Sequence, residues 1–116
     1  RDKVKQIRTA STDSPSGVIV DSSNNIYIAG VTGGELDGNT NFGGFDIFLV
    51  KYNSSGTKQW TKQFGSSDNE TLMNIALDSS ENIHIMGYTN GDLDGNTNSG
   101  LRDIFLLKYN SDGVLQ

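Results

Sequence analysis

One loop of this sequence has the spacing of a metal site, running Asn90-x-Asp92-x-Asp94-Gly95. Alternating oxygen-bearing side chains followed by glycine open a calcium-binding loop, in which those oxygens surround the ion. The pattern then departs from such a loop, because Leu101 stands at the twelfth position, where a bidentate Glu is needed. The alternative is a tight turn at Asp94-Gly95, with the glycine at a positive φ. The sequence favours the turn and leaves Asn90, Asp92 and Asp94 as calcium candidates.

Residues for nucleophilic or acid–base catalysis are scarce. The chain has no cysteine and a single histidine, His84, so a nucleophile–base pair has few available members. Asp46 and Asp103 precede similar apolar segments and could be considered as a catalytic carboxylate pair. They occupy equivalent places in two repeats, one blade apart, so we expect them to cap loop backbone instead. Lys51 and Lys108 are each expected to pair with a carboxylate of an adjacent blade, such as Asp46 or Asp103. We therefore predict no catalytic residues, no cofactor and no enzymatic activity.

These residues belong to two copies of one unit, offset by 57 positions. Leu-Asp-Gly-Asn-Thr-Asn at 36–41 recurs unchanged at 93–98, and segments 21–28 and 46–53 recur at 78–85 and 103–110. Internal repetition at this period is typical of solenoids and propellers. We divide the chain into a first repeat at 1–57 and a second repeat at 58–116.

Each repeat is predicted to contain four strands. Segments 18–21 and 25–30 flank a polar Ser-Ser-Asn turn suited to a hairpin. Asp21 and Asp78 precede this turn in the two copies and can accept amide hydrogen bonds in an Asx-turn. A Gly- and Asn-rich loop at 32–44 leads to a strand at 46–53, and a further turn leads to a strand at 58–64.

The third strand is apolar on both faces. Strand side chains alternate, so one face carries Ile47, Leu49 and Lys51 and the other carries Phe48, Val50 and Tyr52. A sheet of this kind must be covered on both sides. Radial stacking of four-stranded sheets achieves this, so we predict an all-β fold of two four-stranded antiparallel β-propeller blades.

Four blocks of sequence carry a resemblance to a known family. They read Asp-Ser-Ser-x-Asn-Ile-Tyr-Ile-x-Gly, Leu-Asp-Gly-Asn-Thr-Asn, Asp-Ile-Phe-Leu-x-Lys-Tyr-Asn and Trp-Thr-Lys-Gln-Phe-Gly, the last at 60–65. In this order they resemble the bacterial SBBP repeat, over nearly the whole chain except the first seventeen residues. The resemblance implies a propeller, commonly in secreted or surface proteins of bacteria, and it implies no catalytic residues.

Composition narrows the classes of partner. The formal net charge is −5 and no basic stripe is present, so nucleic acid is not an expected partner. No apolar run approaches the roughly 20 residues of a membrane-spanning helix, so no membrane span is expected. Trp60 with Phe64 suggests a sugar-stacking platform, but packing on the outer strand is the favoured interpretation.

Two blades do not close a ring, since propellers have about four to eight. Residues 4–7 align with 61–64, the fourth strand, and another fourth strand should begin at 115–116. We therefore expect either a piece of a longer propeller or copies that assemble head to tail, each first strand completing its neighbour's last blade. Three copies would give six blades and four would give eight. The interface residues would be Val4, Gln6, Ile7, Phe105, Leu107 and Tyr109.

The predicted function is that of an interaction scaffold, with a protein or glycan bound at the loop ends of the propeller on or outside a bacterial cell. The alternatives are a purely structural repeat unit without a ligand and a glycan-binding propeller. An enzyme built on the same fold has the weakest support. Fold alone does not choose among these functions, because propellers host many of them.

Overall fold

The computed structural model describes residues 6, 7, 9, 11–92 and 102–116, and these residues form two antiparallel sheets. The first sheet contains β1 (Asp13–Val20), β2 (Ile26–Thr32), β3 (Asp46–Tyr52) and β4 (Lys58–Phe64). The second contains β5 (Glu70–Leu77), β6 (Ile83–Thr89) and β7 (Asp103–Tyr109). In both sheets each strand pairs with its predecessor in the chain. The predicted all-β fold with two propeller blades is confirmed.

Helix is almost absent from the residues that the structure describes. The one helical element among the described residues is a 3₁₀ turn at Leu36–Gly38. No helix in the described ranges is long and apolar enough to cross a membrane.

The first strand is longer than its apolar residues indicate. β1 begins at Asp13, whereas the sequence predicted a start at Val18, because Asp-Ser-Pro-Ser-Gly has little β-propensity. Its pairing with β2 tolerates proline through a bulge between Pro15 and Gly17. β5 has a bulge at the equivalent place, between Leu72 and Asn74. The irregularity is therefore a property of the repeat.

The predicted Asx-turns are present in both blades. Asp21 Oδ1 accepts hydrogen bonds from the amides of Ser23 and Asn25, both at 2.9 Å. Asp78 does the same in the second repeat. Each carboxylate thus holds the hairpin that joins the first two strands of its blade.

The main core lies between the two sheets, as in a propeller. From the first blade it takes Tyr27, Ala29, Ile47 and Leu49. From the second blade it takes Leu72, Ile75, Ile83, Ile85, Phe105, Leu107 and Tyr109. We call this contact the blade junction. It buries one face of each sheet.

A smaller core covers the other face of the first blade. Phe48, Val50 and Tyr52 are buried there beneath Leu36 of the 3₁₀ turn, and Ile7 packs against the same cluster. Both faces of β3 are therefore covered, as predicted. β7 differs, because only its Phe105, Leu107 and Tyr109 face is buried.

The second sheet has the start of a fourth strand. Leu115 forms an isolated bridge with Tyr109, at the place where Lys58 pairs with Tyr52 in the first blade. In the described residues, β7 has full pairing only with β6. The predicted strand order, in which the fourth strand of this blade begins at residues 115–116, agrees with this bridge.

Candidate interaction surfaces and the blade junction

Tyr27 is the central polar residue of the blade junction. It is fully buried, and its hydroxyl donates to Asp21 Oδ2 at 3.0 Å. Its ring lies 6.1 Å from that of Trp60, and Lys51 Nζ lies 5.4 Å from the ring centroid. Burial, with the Asp21 carboxylate next in importance, raises the pKa of Tyr27, so the phenol stays neutral and acts as a donor.

Polar contacts across the junction are made mainly to backbone. Lys51 Nζ and Trp60 Nε1 both donate to the carbonyl oxygen of Ser111, at 2.9 and 3.3 Å. In the same direction, from the first blade to the second, the Ser22 amide donates to Glu81 Oε2 at 2.8 Å. The expectation of a carboxylate partner for Lys51 was wrong, because a carbonyl and an aromatic ring satisfy the ammonium. Trp60 is used in this contact, which agrees with the packing interpretation.

The second blade exposes apolar side chains on the face turned away from the junction. We define this outer face of the second blade by Ala76, His84, Met86, Ile104 and Leu106. Ile104 is 73% exposed and Leu106 is 68% exposed. Their counterparts one repeat earlier, Ile47 and Leu49, are each 1% exposed within the junction. Equivalent side chains are thus buried in the first blade and exposed in the second.

The first blade has a complementary outer face, which we define by Val18, Val20, Ile26 and Ile28. Val18 is 61% and Val20 55% exposed, whereas Ile26 and Ile28 are half-buried. Their counterparts in the second blade, Ile75, Leu77, Ile83 and Ile85, all pack in the junction core. Each outer face therefore repeats one half of the internal junction.

The predicted interface residues fall into two groups. Gln6 and Ile7 lie at the first blade, where Ile7 packs against the Phe48 cluster. Phe105, Leu107 and Tyr109 are buried in the internal junction. Val4 lies outside the described residues. The outward-facing side chains of β7, Ile104 and Leu106, were not among the predicted interface residues, although the alternation along the strand indicated that they lie on the opposite face from Phe105 and Leu107.

His84 occupies the place of Tyr27 in the second blade, as the alignment predicted. Its Nε2 lies 2.9 Å from Asp78 Oδ2, so the imidazole makes the contact that the phenol makes in the first blade. The side-chain hydrogen bond with His84, followed by the Asn82 amide, holds the pKa of Asp78 well below its usual range. The ring is half-buried, since the face around it is open.

Two buried carboxylates meet beside the junction, and the sequence did not reveal them as a pair. Asp46 begins β3 and accepts at Oδ2 from the Phe42 amide, at 2.7 Å, and from Gln63 Nε2, at 3.1 Å. The predicted capping of loop backbone by Asp46 is therefore confirmed. Its nearby acid is Glu70, the first residue of β5, whereas the sequence compared it only with Asp103. Burial raises the pKa of Asp46.

Glu70 is surrounded by donors. Its oxygens accept from the Ser66 amide, the Ser66 hydroxyl and the Thr89 hydroxyl, at 2.9, 2.5 and 2.9 Å. Burial is the largest cause of its raised pKa, and the Asp46 charge acts in the same direction. Gly65 lies between the two acids, because a Cβ there would lie within 3.0 Å of Asp46 Oδ1 and Glu70 Oε1.

The calcium candidates are only partly described. Asn90 and Asp92 follow β6, and Asp94 lies outside the described residues. Within the described part of the chain, no three His, Cys, Asp or Glu residues cluster as a metal site. The calcium prediction for this loop stays a prediction.

The equivalent segment of the first repeat is a turn. Asp37 and Gly38 have φ values of 48° and 80°. The Asp37 carboxylate accepts from Lys58 Nζ at 2.9 Å and from the Thr61 hydroxyl at 2.5 Å. In the first copy, therefore, the aspartate stabilises the loop against β4.

The stacked sheets and their repeated junction define two adjacent blades of a β-propeller. A scan against family models matches the SBBP β-propeller repeat at residues 2–37 and 59–94, which together make up more than half of the chain. The two matches have the offset of the internal repeat. The chain belongs to the SBBP β-propeller repeat family. A search of curated proteins found no match to this sequence.

Proposed function

We propose that this β-propeller repeat module is a non-enzymatic interaction scaffold that assembles with further copies of itself, blade upon blade. One observation carries the proposal: Ile104 and Leu106 are exposed where Ile47 and Leu49 are buried. Contiguous exposed apolar surface marks interaction sites, since water contact with such side chains is unfavourable. The partner surface must resemble the one that Ile47 and Leu49 already contact.

That partner surface exists on the same molecule, at its other end. Ile47 and Leu49 pack in the core that contains Ile75 and Ile83 of the second blade. The first-repeat counterparts of these two are Val18 and Ile26, on the outer face of the first blade. A second copy can therefore place its first blade on the second blade of its neighbour, in the geometry of the internal junction. Because the two contacting surfaces differ, the association is heterologous.

The strand edges support the same arrangement. In the first blade, β4 pairs with β3 so that Phe64 lies opposite Ile47 and Gln63 opposite Phe48. Residues 6 and 7 are the counterparts of 63 and 64, and residues 104 and 105 are the counterparts of 47 and 48. The same register would therefore place Ile7 of one copy opposite Ile104 of another, and Gln6 opposite Phe105. Ile7 already packs on its own first blade, on the side that would face the neighbour.

Heterologous contacts close into a ring when the rotation between units allows it. Propeller rings contain about four to eight blades, so three copies with six blades or four copies with eight satisfy closure. Location on the surface of a bacterium, and a protein or glycan ligand at the loop ends, are part of the proposal and have support only from the family resemblance.

Solution mass tests the proposal directly. Light scattering of the purified 116-residue chain should give three or four times its 12.5 kDa mass. Leu106→Lys should yield a folded monomer, because the new charge would have to be buried at the contact. Val114→Lys is the matched control, since Val114 is a similarly exposed apolar residue in the turn after β7. A wild-type protein that remains monomeric at high concentration would disprove assembly.

A further inference from the structure

The junction within the chain contains a contact that requires glycine. Gly17 of β1 lies against Ile75 of β5, because a Cβ at residue 17 would lie 2.6 Å from Ile75 Cγ2. Interiors are close-packed, so a larger residue at 17 would push Ile75 away. Glycine thus allows the two strands to approach closely. Ile75 is buried, in the core that also contains Tyr27, Ala29 and Leu49.

The outer face of the second blade has a hollow at the equivalent place. The hollow has a volume of about 90 Å³, and its lining includes Asn74, His84, Met86 and Leu106. At the repeat offset, these four residues are the counterparts, in the same order, of Gly17, Tyr27, Ala29 and Leu49. The hollow is therefore the second-blade version of the surface against which Ile75 packs.

The repeat offset also identifies the side chain that fits this hollow. The counterpart of Ile75 is Val18, which is 61% exposed on the outer face of the first blade. Both residues are branched at Cβ, so each carries a methyl group at the Cγ2 position. In the blade-upon-blade assembly proposed above, Val18 of one copy would face the hollow of its neighbour.

The hollow differs from its internal counterpart most clearly at Asn74. A Cβ and an amide stand where Gly17 has no side chain, so Val18 cannot approach residue 74 as closely as Ile75 approaches Gly17. The Asn74 amide, whose Oδ1 accepts from the Ile75 backbone at 2.9 Å, would also lose contact with water on docking, which is unfavourable. Met86 is larger than its counterpart too, but its unbranched side chain adapts to a neighbour.

We propose that Val18 of a second copy enters this hollow and that Asn74 limits the depth to which it enters. The contact between copies is therefore weaker than the junction within one chain, and assembly is reversible. Val18 and the hollow meet only if copies associate blade upon blade, so the inference rests on the proposed function. It adds the residue that sets the affinity between copies.

The concentration at which half of the chains are assembled, measured by light scattering over a dilution series, tests the role of Asn74. Asn74→Gly should lower that concentration about tenfold or more, because the methyl groups of residue 18 then pack as closely as those of Ile75. Asn74→Ala is the matched control, since it removes the amide and keeps the Cβ, and its gain should be smaller. Both variants should fold, because Asn74 is exposed.

A double-mutant cycle tests whether residues 18 and 74 meet across the contact. Val18→Ala should raise the half-assembly concentration, since it removes the methyl groups that enter the hollow. Adding Asn74→Gly to Val18→Ala should then give no gain. An undiminished gain in that background, or equal gains from alanine and glycine at residue 74, would overturn the inference.

The outcomes also separate this inference from assembly itself. A wild-type chain that assembles, beside an Asn74→Gly variant that assembles no better, would overturn the role of Asn74 and leave blade-upon-blade association intact. A monomeric wild type beside an assembling Asn74→Gly would support the role of Asn74 and overturn assembly of the natural sequence. Monomers in both cases would overturn both proposals.

Discussion

Asp21 illustrates how a single carboxylate is shared between a turn and the packing of two blades. It accepts from the amides of the hairpin turn and from the Tyr27 hydroxyl, which is buried at the junction. In the second repeat, Asp78 accepts from the same turn and contacts His84. The Asx-turn therefore also orients the ring that faces the next blade.

The ionisation of Asp21 should make stability depend on pH in the acid range. Burial raises the pKa of Asp21, but hydrogen bonds from Asn25, Tyr27 and Ser23 outweigh it and leave the pKa lowered. A carboxyl with a lowered pKa stabilises the fold above its unfolded value of about 3.9, and that contribution is lost as pH falls. Asp21→Asn should therefore be less stable than wild type at pH 7, with a smaller difference below about pH 4.

Urea unfolding at a series of pH values measures this effect. Asp112→Asn is the control, since Asp112 is exposed, and it should follow the wild-type curve. A difference between Asp21→Asn and wild type that stays constant from pH 7 to pH 3 would contradict the assignment.

β3 and β7 show how one sequence pattern takes two environments. Leu49 and Leu106 hold the same position in the two strands, but the first is buried and the second is exposed. Leu49→Ala should lower the free energy of unfolding by about 2 to 5 kcal/mol, since it removes a packed core side chain. Leu106→Ala should cost less than about 1 kcal/mol in dilute solution. Equal losses measured by urea unfolding would contradict the burial difference.

The elements were predictable where local patterns decide them. β3 follows from a short run that is apolar on both faces, β4 from the turn that precedes it, and the Asx-turn from Asp-Ser-Ser. The start of β1 was not predictable, because Asp13 to Gly17 pair through tertiary contact with β2 despite low propensity. The pair of Asp46 with Glu70 was hidden for another reason. Comparison at the repeat offset aligns Asp46 with Asp103, whereas neighbouring blades bring different positions of the repeat together.

At the scale of the whole molecule, the strand register of an assembled ring can be tested covalently. The chain has no cysteine, so Ile7→Cys combined with Ile104→Cys introduces one reactive pair. Directly opposed residues of antiparallel strands have Cα atoms about 4.5 to 5.5 Å apart, which a disulfide spans. Under oxidising conditions this variant should form chains linked between copies, ending at a trimer or tetramer on non-reducing gels.

The control uses the same strand out of register. Ile7→Cys with Lys108→Cys places the second thiol four residues along β7, about 13 Å away at the rise of a strand. This variant should stay largely uncrosslinked. Equal crosslinking of the two variants would indicate random collision and would contradict the proposed strand pairing.

The exchange of Tyr27 for His84 means that the junctions of an assembled ring would be of two kinds. Within each copy, the aromatic side chain at the junction is the buried phenol of Tyr27, and both blades belong to one chain. Between copies, it would be the imidazole of His84, and the two blades would belong to different chains. Such a ring has the rotational symmetry of the copies, threefold or fourfold, rather than that of its blades. The assembled ring would also dissociate at the contacts between copies, where His84 lies. Its smallest dissociation product would therefore be one chain with two blades, and never a single blade.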